Sequence, residues 1–351
     1  MTTNYDAFLL LSFGGPERPE DVVPFLENAL RRRSVPRERM LEVAEHYYHF
    51  GGKSPINDQN RALIAALQAE FKARGIELPI YWGNRNWHPM LADTMRQMKA
   101  EGVKRALGFA TSAYSSYSSC RQYREDIAAA QATVGEGAPA VDKLRVFHNH
   151  PLFVEANIEQ VRAALGRIPE ARRAATRVAY TAHSIPLSMA QECSYQPQLL
   201  EVAGLVSAAL GRKPDPLVFQ SRSGPASQPW LEPDILEHLR AIHGEGATDV
   251  VIAPIGFVSD HMEVLYDLDT QAAELGRELG LNLERAGTAG THPKFVQMVR
   301  ELVVERMVDS AERPAVGRYP ANPDVCLIDC CPAPVRPAMG RAQQSVVSAG
   351  K

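Results

Sequence analysis

The chain is predicted to be an α/β protein on three observations. Short β-rich runs alternate with amphipathic helical runs, the alternation occurs twice in a similar layout, and 351 residues with 45% apolar content suffice to bury the cores of two units.

In the first unit, residues 7–12 (AFLLLS) form an unbroken apolar run that reads as a buried strand, and 22–30 follow as a helix. The next pairs are a strand at 80–83 with a helix at 90–98, and a strand at 103–111 with a helix at 123–130. The second series opens with a helix at 153–165 whose apolar residues share one face. Strands at 177–182, 216–219, 249–258 and 281–284 follow, with helices between them, including 199–210, and a last helix at 294–308. Strand-then-helix repetition predicts parallel sheets, here as two Rossmann-like units over residues 1–152 and 153–312. Two strand ends echo each other, LGFATS at 107–112 and IGFVSD at 255–260, which raises the prospect of an internal duplication. After residue 310 the composition turns to Pro, Gly, Ser and Arg, so 313–351 reads as a cysteine-containing tail that needs an external tie to be ordered.

A formal net charge of −3 provides no basic field for nucleic acid, and none is expected as a partner. No apolar run approaches the roughly 18–20 residues of a membrane span. The start of the chain carries no secretory pattern. A cytoplasmic monomer with at most peripheral membrane contact is expected. The five cysteines are odd in number and Cys330 and Cys331 are adjacent, so structural disulfides are not expected.

Several motifs can be set aside. Gly51-Gly52-Lys53-Ser54 imitates the end of a phosphate-binding loop, but Tyr47 stands where its first glycine should be, and Pro55 is expected to obstruct the helix start. There is no dinucleotide fingerprint, nucleophile elbow or zincin helix.

In an open α/β sheet, ligands sit beyond the carboxyl ends of the strands. Two such ends carry chemistry. RVAYTAHSIP at 177–186 places His183 where a strand gives way to a turn; taken alone, it reads more readily as structural. PIGFVSDHMEVLYDLD at 254–269 sets Glu263 and Asp267 four apart, on one face of a helix, where a carboxylate ladder could pass a hard cation or protons. An acidic first turn favoured by the helix dipole is the equal alternative.

TAHSIP at 181–186 and GFVSDHMEVLYDLD at 256–269 resemble the two signature segments of the ferrochelatases. LLLSFGGP at 9–16, HFGGKSPI at 49–56, QSRSGP at 220–225 and PWLEP at 229–233 are similar to that family too, and the likeness covers residues 5 to about 310. The resemblance implies two chelatase-type units with a porphyrin cleft between them. It also implies insertion of iron(II), as substrate, into a free-base porphyrin for haem synthesis, with His183 and Glu263 facing each other across the macrocycle as catalytic and metal-handling groups. Chemically, metallation must remove two pyrrole protons and desolvate iron(II), for which an imidazole and a carboxylate supply acceptors and ligands. The resemblance makes Asp267 a third metal-handling group, although Gln271 stands at the family's next acidic position. It makes Phe13 a packing surface for the porphyrin where some relatives have tyrosine, and Arg31, Arg33, Ser54 and Tyr123 porphyrin-binding residues. Arg31, Arg32 and Arg33 taken alone fit a solvated surface equally well. His46, where some relatives have arginine, is left out of the set.

A subset of the family holds a 2Fe-2S cluster on C-terminal cysteines plus one internal cysteine. By this resemblance Cys120, Cys326, Cys330 and Cys331 are the expected ligands, with Cys193 the second choice for the internal one. Four thiolates also suit zinc, and spacing alone fits free thiols as well. The favoured substrate is coproporphyrin III. The alternatives are protoporphyrin IX and a noncatalytic haem-binding or haem-delivery protein of the same fold.

Overall fold

The computed structural model describes residues 4–31, 35–224, 227–308 and 312–333. Among these residues, eight strands form two all-parallel sheets. The first holds β1 (Ala7–Ser12), β2 (Ile80–Asn84), β3 (Arg105–Ala110) and β4 (Ala140–Lys143) in the order β2-β1-β3-β4. The second holds β5 (Arg177–His183), β6 (Leu217–Gln220), β7 (Asp249–Ala253) and β8 (Asn282–Arg285) in the order β6-β5-β7-β8, which is the same order one repeat later. In each sheet the strand order reverses between the first and third strands, so that is where a crevice opens at the carboxyl edge.

The α/β architecture of two parallel sheets flanked by helices is therefore as expected, and most elements lie within a few residues of the sequence reading. Three differences have physical causes. β7 ends at Ala253 instead of running to 258, because Pro254 has no N–H to continue a ladder. The echo between 107–112 and 255–260 consequently pairs strand with loop, and the repeat lies in the strand order instead. Second, Pro55 does not obstruct a helix: Ile56–Ala73 begins directly after it, since proline is tolerated where the first-turn N–H groups have no partner in any case. A phosphate-binding loop is still excluded, because the element before Gly51 is the helix Arg37–His49 and not a strand. Third, neither of these two helices was read from the sequence.

One face of each sheet feeds a shared core, and the opposite faces pack separate clusters. The shared core includes Phe8, Phe71 and Phe109 from the first half and Tyr180, Val251 and Phe295 from the second. The last helix, Pro293–Met307, packs on both Pro151–Arg167 and Ile56–Ala73, so the end of the second half is set into the first. No helix among the described residues is long and apolar enough to cross a membrane.

Residues 312–333 contain no regular element, and the tie they need is the body of the protein. Val316 N–H donates to the Asn149 carbonyl at 2.9 Å, and Asn149 Nδ2 donates to the Tyr319 and Pro320 carbonyls at 2.9 and 3.1 Å. Glu201 Oε1 accepts the backbone N–H groups of Arg318 (2.7 Å) and Tyr319 (3.2 Å). Gly317 permits this approach: its φ is +90°, and a Cβ there would lie 2.6 Å from Glu201 Oε1.

Candidate functional site

His183 is the last residue of β5, and Glu263 follows the β7 loop, so both emerge at the crevice between β5 and β7. His183 Nε2 lies 3.4 Å from Glu263 Oε1, with the two side chains 29% and 45% exposed. The expectation that they face each other across a porphyrin is corrected by this distance, which leaves no room for a macrocycle between them. His183 ends one strand and Glu263 follows the loop after its neighbour in the same sheet, so the two stand side by side.

The His183 ring is oriented by a short hydrogen bond from Nδ1 to the Ser184 carbonyl. A carbonyl only accepts, so Nδ1 carries a proton, and Nε2 is the nitrogen that faces Glu263. Glu263 N–H donates to His261 Nδ1 at 3.2 Å, capping the short helix Met262–Val264. Burial holds the His261 pKa below its ordinary value, with the Glu263 charge opposing and the His183 charge assisting. His261 was quoted within the sequence motif but given no role. Its signal was its place two residues before the carboxylate.

The helix continues as a π-helical segment, Leu265–Ala272, a geometry frequent at functional sites. Gln220 Nε2 donates to the Glu263 backbone carbonyl at 2.8 Å and to Asp267 Oδ2 at 3.5 Å. Ser221 Oγ makes a short bond to the same Asp267 oxygen from a backbone at φ +62°, a strained conformation for serine. Burial raises the Asp267 pKa to about 7, with Ser221 pulling it down and the Glu263 charge pushing it up.

The first half supplies the other surroundings. Phe13, directly after β1, is 41% exposed and rests edge-on against Phe25 at 6.2 Å. His46 stacks on Tyr266 at 3.7 Å and 11°, and Gln59 Oε1 accepts the Asp260 N–H at 2.8 Å, so helices of the first half touch the segment that bears Glu263. Burial and then the Glu263 charge raise the Tyr47 pKa. The helix Arg37–His49 that carries His46 and Tyr47 was missed in the sequence because its charged and apolar residues are closely mixed.

Of the expected porphyrin-binding residues, Arg31 is exposed and bonded to Asn28 (2.7 Å) and to Asn86 Oδ1 (3.3 Å), whose N–H donates to the Phe13 carbonyl. Arg33 lies outside the described residues. Ser54 and Tyr123 are not surface groups of the cleft: Ser54 is 2% exposed behind Gly15, and Tyr123 is 5% exposed beneath Arg85, whose guanidinium stands 4.0 Å over its ring. Gly15 and Arg85 cover them.

The tail brings the expected sulfurs together. Cys120, in the π-helical segment Tyr117–Arg121, contacts Cys326; Cys326 contacts Cys330; and Cys330 Sγ lies 3.5 Å from Cys331 Sγ. Arg121 and Arg124 fasten this stretch by bonds to the Cys330 and Leu327 carbonyls at 3.2 and 3.3 Å. The Cys120 bond lowers the Cys326 pKa, whereas burial raises that of Cys331. Cys193 is within electrostatic reach of Cys330. Among the described residues, no three His, Cys, Asp or Glu side chains are arranged to hold a metal ion.

Residues 5–307 match the ferrochelatase family. A ferrochelatase of Rhodopirellula baltica is 58% identical over 331 residues, 93% of each chain. The coproporphyrin III ferrochelatases of Streptomyces coelicolor and Nocardia farcinica are each 50% identical, the first over 96% of both chains and the second over 95% of this chain and 98% of its own. Among solved structures, a multi-domain protein of Deinococcus radiodurans with structural similarity to chelatases superposes with a TM-score of 0.52 at 14% identity, covering 86% of this chain and 56% of that one, a likeness of fold alone.

Proposed function

The chain belongs to the ferrochelatase family, enzymes that insert iron(II) into a porphyrin, and from that premise we propose that its substrate is coproporphyrin III and that His183 and Glu263 carry out the insertion. The observation that carries the reading is the 3.4 Å approach of His183 Nε2 to the Glu263 carboxylate at the crevice of the second sheet. Insertion removes two pyrrole protons and strips water from the metal. Nε2 of His183 and the Glu263 carboxylate serve as adjacent acceptors for protons and as donors to the arriving ion. Asp267, with a pKa of about 7, can take up a proton and release it at neutral pH, which extends the acidic route along the π-helical segment. Phe13 packs on the macrocycle from the first half, and Arg31 beside it is the cation best placed for a propionate. Ser54 and Tyr123 reach a propionate only after their covering loops move.

The choice of coproporphyrin III is supported by the Streptomyces and Nocardia relatives that bear that name. Anaerobic mixing with iron(II) and either free-base porphyrin, followed by absorption, tests it. Conversion of coproporphyrin III at least about ten-fold faster than protoporphyrin IX supports the reading, and the reverse order makes protoporphyrin IX the substrate.

We read Cys120, Cys326, Cys330 and Cys331 as ligands of a 2Fe-2S cluster. The support is the contact of all four in one run, Cys120 with Cys326, Cys326 with Cys330 and Cys330 with Cys331; four thiolates suit two irons, and zinc is the competing occupant. When bound, such a cluster supplies one-electron redox chemistry. Anaerobically purified protein should contain about two irons and two sulfides per chain, lost in Cys331→Ser; zinc in their place overturns the assignment.

A further inference from the structure

The β5–β7 ladder stops short of both His183 and Glu263; His183 is paired instead with Gln220 of β6, whose Nε2 donates to the Glu263 carbonyl at 2.8 Å. β5 and β7 pair from Arg177 with Val250 to Tyr180 with Ala253. Beyond Pro254, the Gly256 N–H donates to the Thr181 carbonyl at 3.0 Å. Glycine is required there, because a Cβ would lie 2.5 Å from that of Ala182.

Two buried tyrosines take over past this point. The Tyr195 hydroxyl donates to the His183 carbonyl at 3.0 Å. The Tyr114 hydroxyl, from the loop after β3 in the first sheet, donates to the Ile255 carbonyl at 2.8 Å, on the segment leading to Glu263. The rings meet edge to face at 6.1 Å and 83°, and they are 5% and 1% exposed. Phe153 and the His148 ring, at 6.3 and 6.2 Å, hold Tyr114 from its other sides. Burial raises both hydroxyl pKa values, so each remains a proton-bearing donor across the physiological range.

We propose that Tyr195 and Tyr114 are positioning residues for metal insertion. Together they form a wedge that anchors the backbone behind His183 and behind the Glu263 loop, keeping Nε2 and Oε1 close enough to act on one ion. Neither hydroxyl touches the substrate; each acts through a carbonyl. The inference rests on the reading of His183 and Glu263 as the iron-handling pair. Because Tyr114 comes from the first sheet, the spacing of a pair that belongs wholly to the second sheet depends on the docking of the two halves.

Tyr195→Phe and Tyr114→Phe keep the rings and remove only the hydroxyls. Anaerobic initial rates against iron(II) concentration, porphyrin affinity by fluorescence and the thermal midpoint are measured for each. The expected result is a fall of roughly ten-fold in kcat/KM for iron(II), with a raised KM for the metal and porphyrin affinity within about two-fold of the parent. A merely structural role would lower the competent fraction and leave the KM for iron(II) unchanged; that result, or parent-like kcat/KM in Tyr195→Phe, overturns the proposal. If Tyr114→Phe does not fold, Tyr195→Phe decides, since its bond lies within the second half. His183→Ala in the same assay separates the two readings. Retained turnover there removes the catalytic assignment itself, whereas an inactive His183→Ala beside parent-like tyrosine variants removes only the positioning role.

Discussion

In the first sheet, β1, β2 and β3 lead into Phe13, Arg85 and Thr111; in the second, with the same strand order, β5 ends in His183, β6 leads into Ser221, and β7 leads through a loop to His261 and Glu263. One half thus brings a ring and a guanidinium to its carboxyl edge, and the other brings groups that exchange protons. The frame is common to both, and the chemistry is decided by the few residues at each edge. Proximity follows the same rule: the ends of two neighbouring strands of one sheet bring His183 and Glu263 side by side, and helices of the first half touch the segment that bears Glu263.

The largest effect that tests this division is in the second half. His183→Ala and Glu263→Gln are each expected to lower the metallation rate by about 10²-fold or more while porphyrin binding persists, as read by anaerobic rates beside fluorescence titration. Near-parent rates in both would erase the contrast. For the first half, Phe13→Ala should do the opposite, weakening porphyrin affinity by about ten-fold through lost ring contact, with a smaller change in kcat. A variant that loses kcat with unchanged affinity would place Phe13 among the reacting groups.

The tail belongs to neither edge and should respond differently from both. Gly317→Ala forces a Cβ into Glu201 at a φ of +90°, at a cost on the order of 1–3 kcal/mol. Limited proteolysis should cut the tail faster, and the metallation rate should stay within about two-fold of the parent. The smallest effect near neutrality concerns the histidines under the tail. Burial depresses the pKa of His148 from 6.5 to about 4 and that of His150 from 6.5 to about 3, with the Arg145 charge assisting. Their unfolded forms take up protons first, so the stability from keeping them neutral is complete above pH 6.5 and declines as pH falls toward 4 and then 3. Thermal midpoints should fall through that window, with proton uptake on unfolding approaching about two. His148→Gln should remove about half of that slope, and an unchanged slope would show that other groups control the acid limb.

The sequence by itself determined the α/β class, the limits of most strands, and the residues worth watching. Apolar runs, prolines and short polar motifs are local, and local chemistry decides whether a segment is strand, helix or turn. It therefore made His183, Glu263, Asp267 and the cysteines visible. The helices Arg37–His49 and Ile56–Ala73 were less legible, the first because its charged and apolar residues are closely mixed, the second because Pro55 was read as a barrier instead of a first-turn residue. Tertiary structure alone decided that His183 and Glu263 stand side by side, that Ser54 and Tyr123 are buried behind Gly15 and beneath Arg85, and that Glu201 and Asn149 hold the tail. Each of these depends on which distant segments lie side by side. Parallel pairing joins strands separated by whole crossover helices, and no residue carries in its own neighbourhood the identity of the partner it will meet.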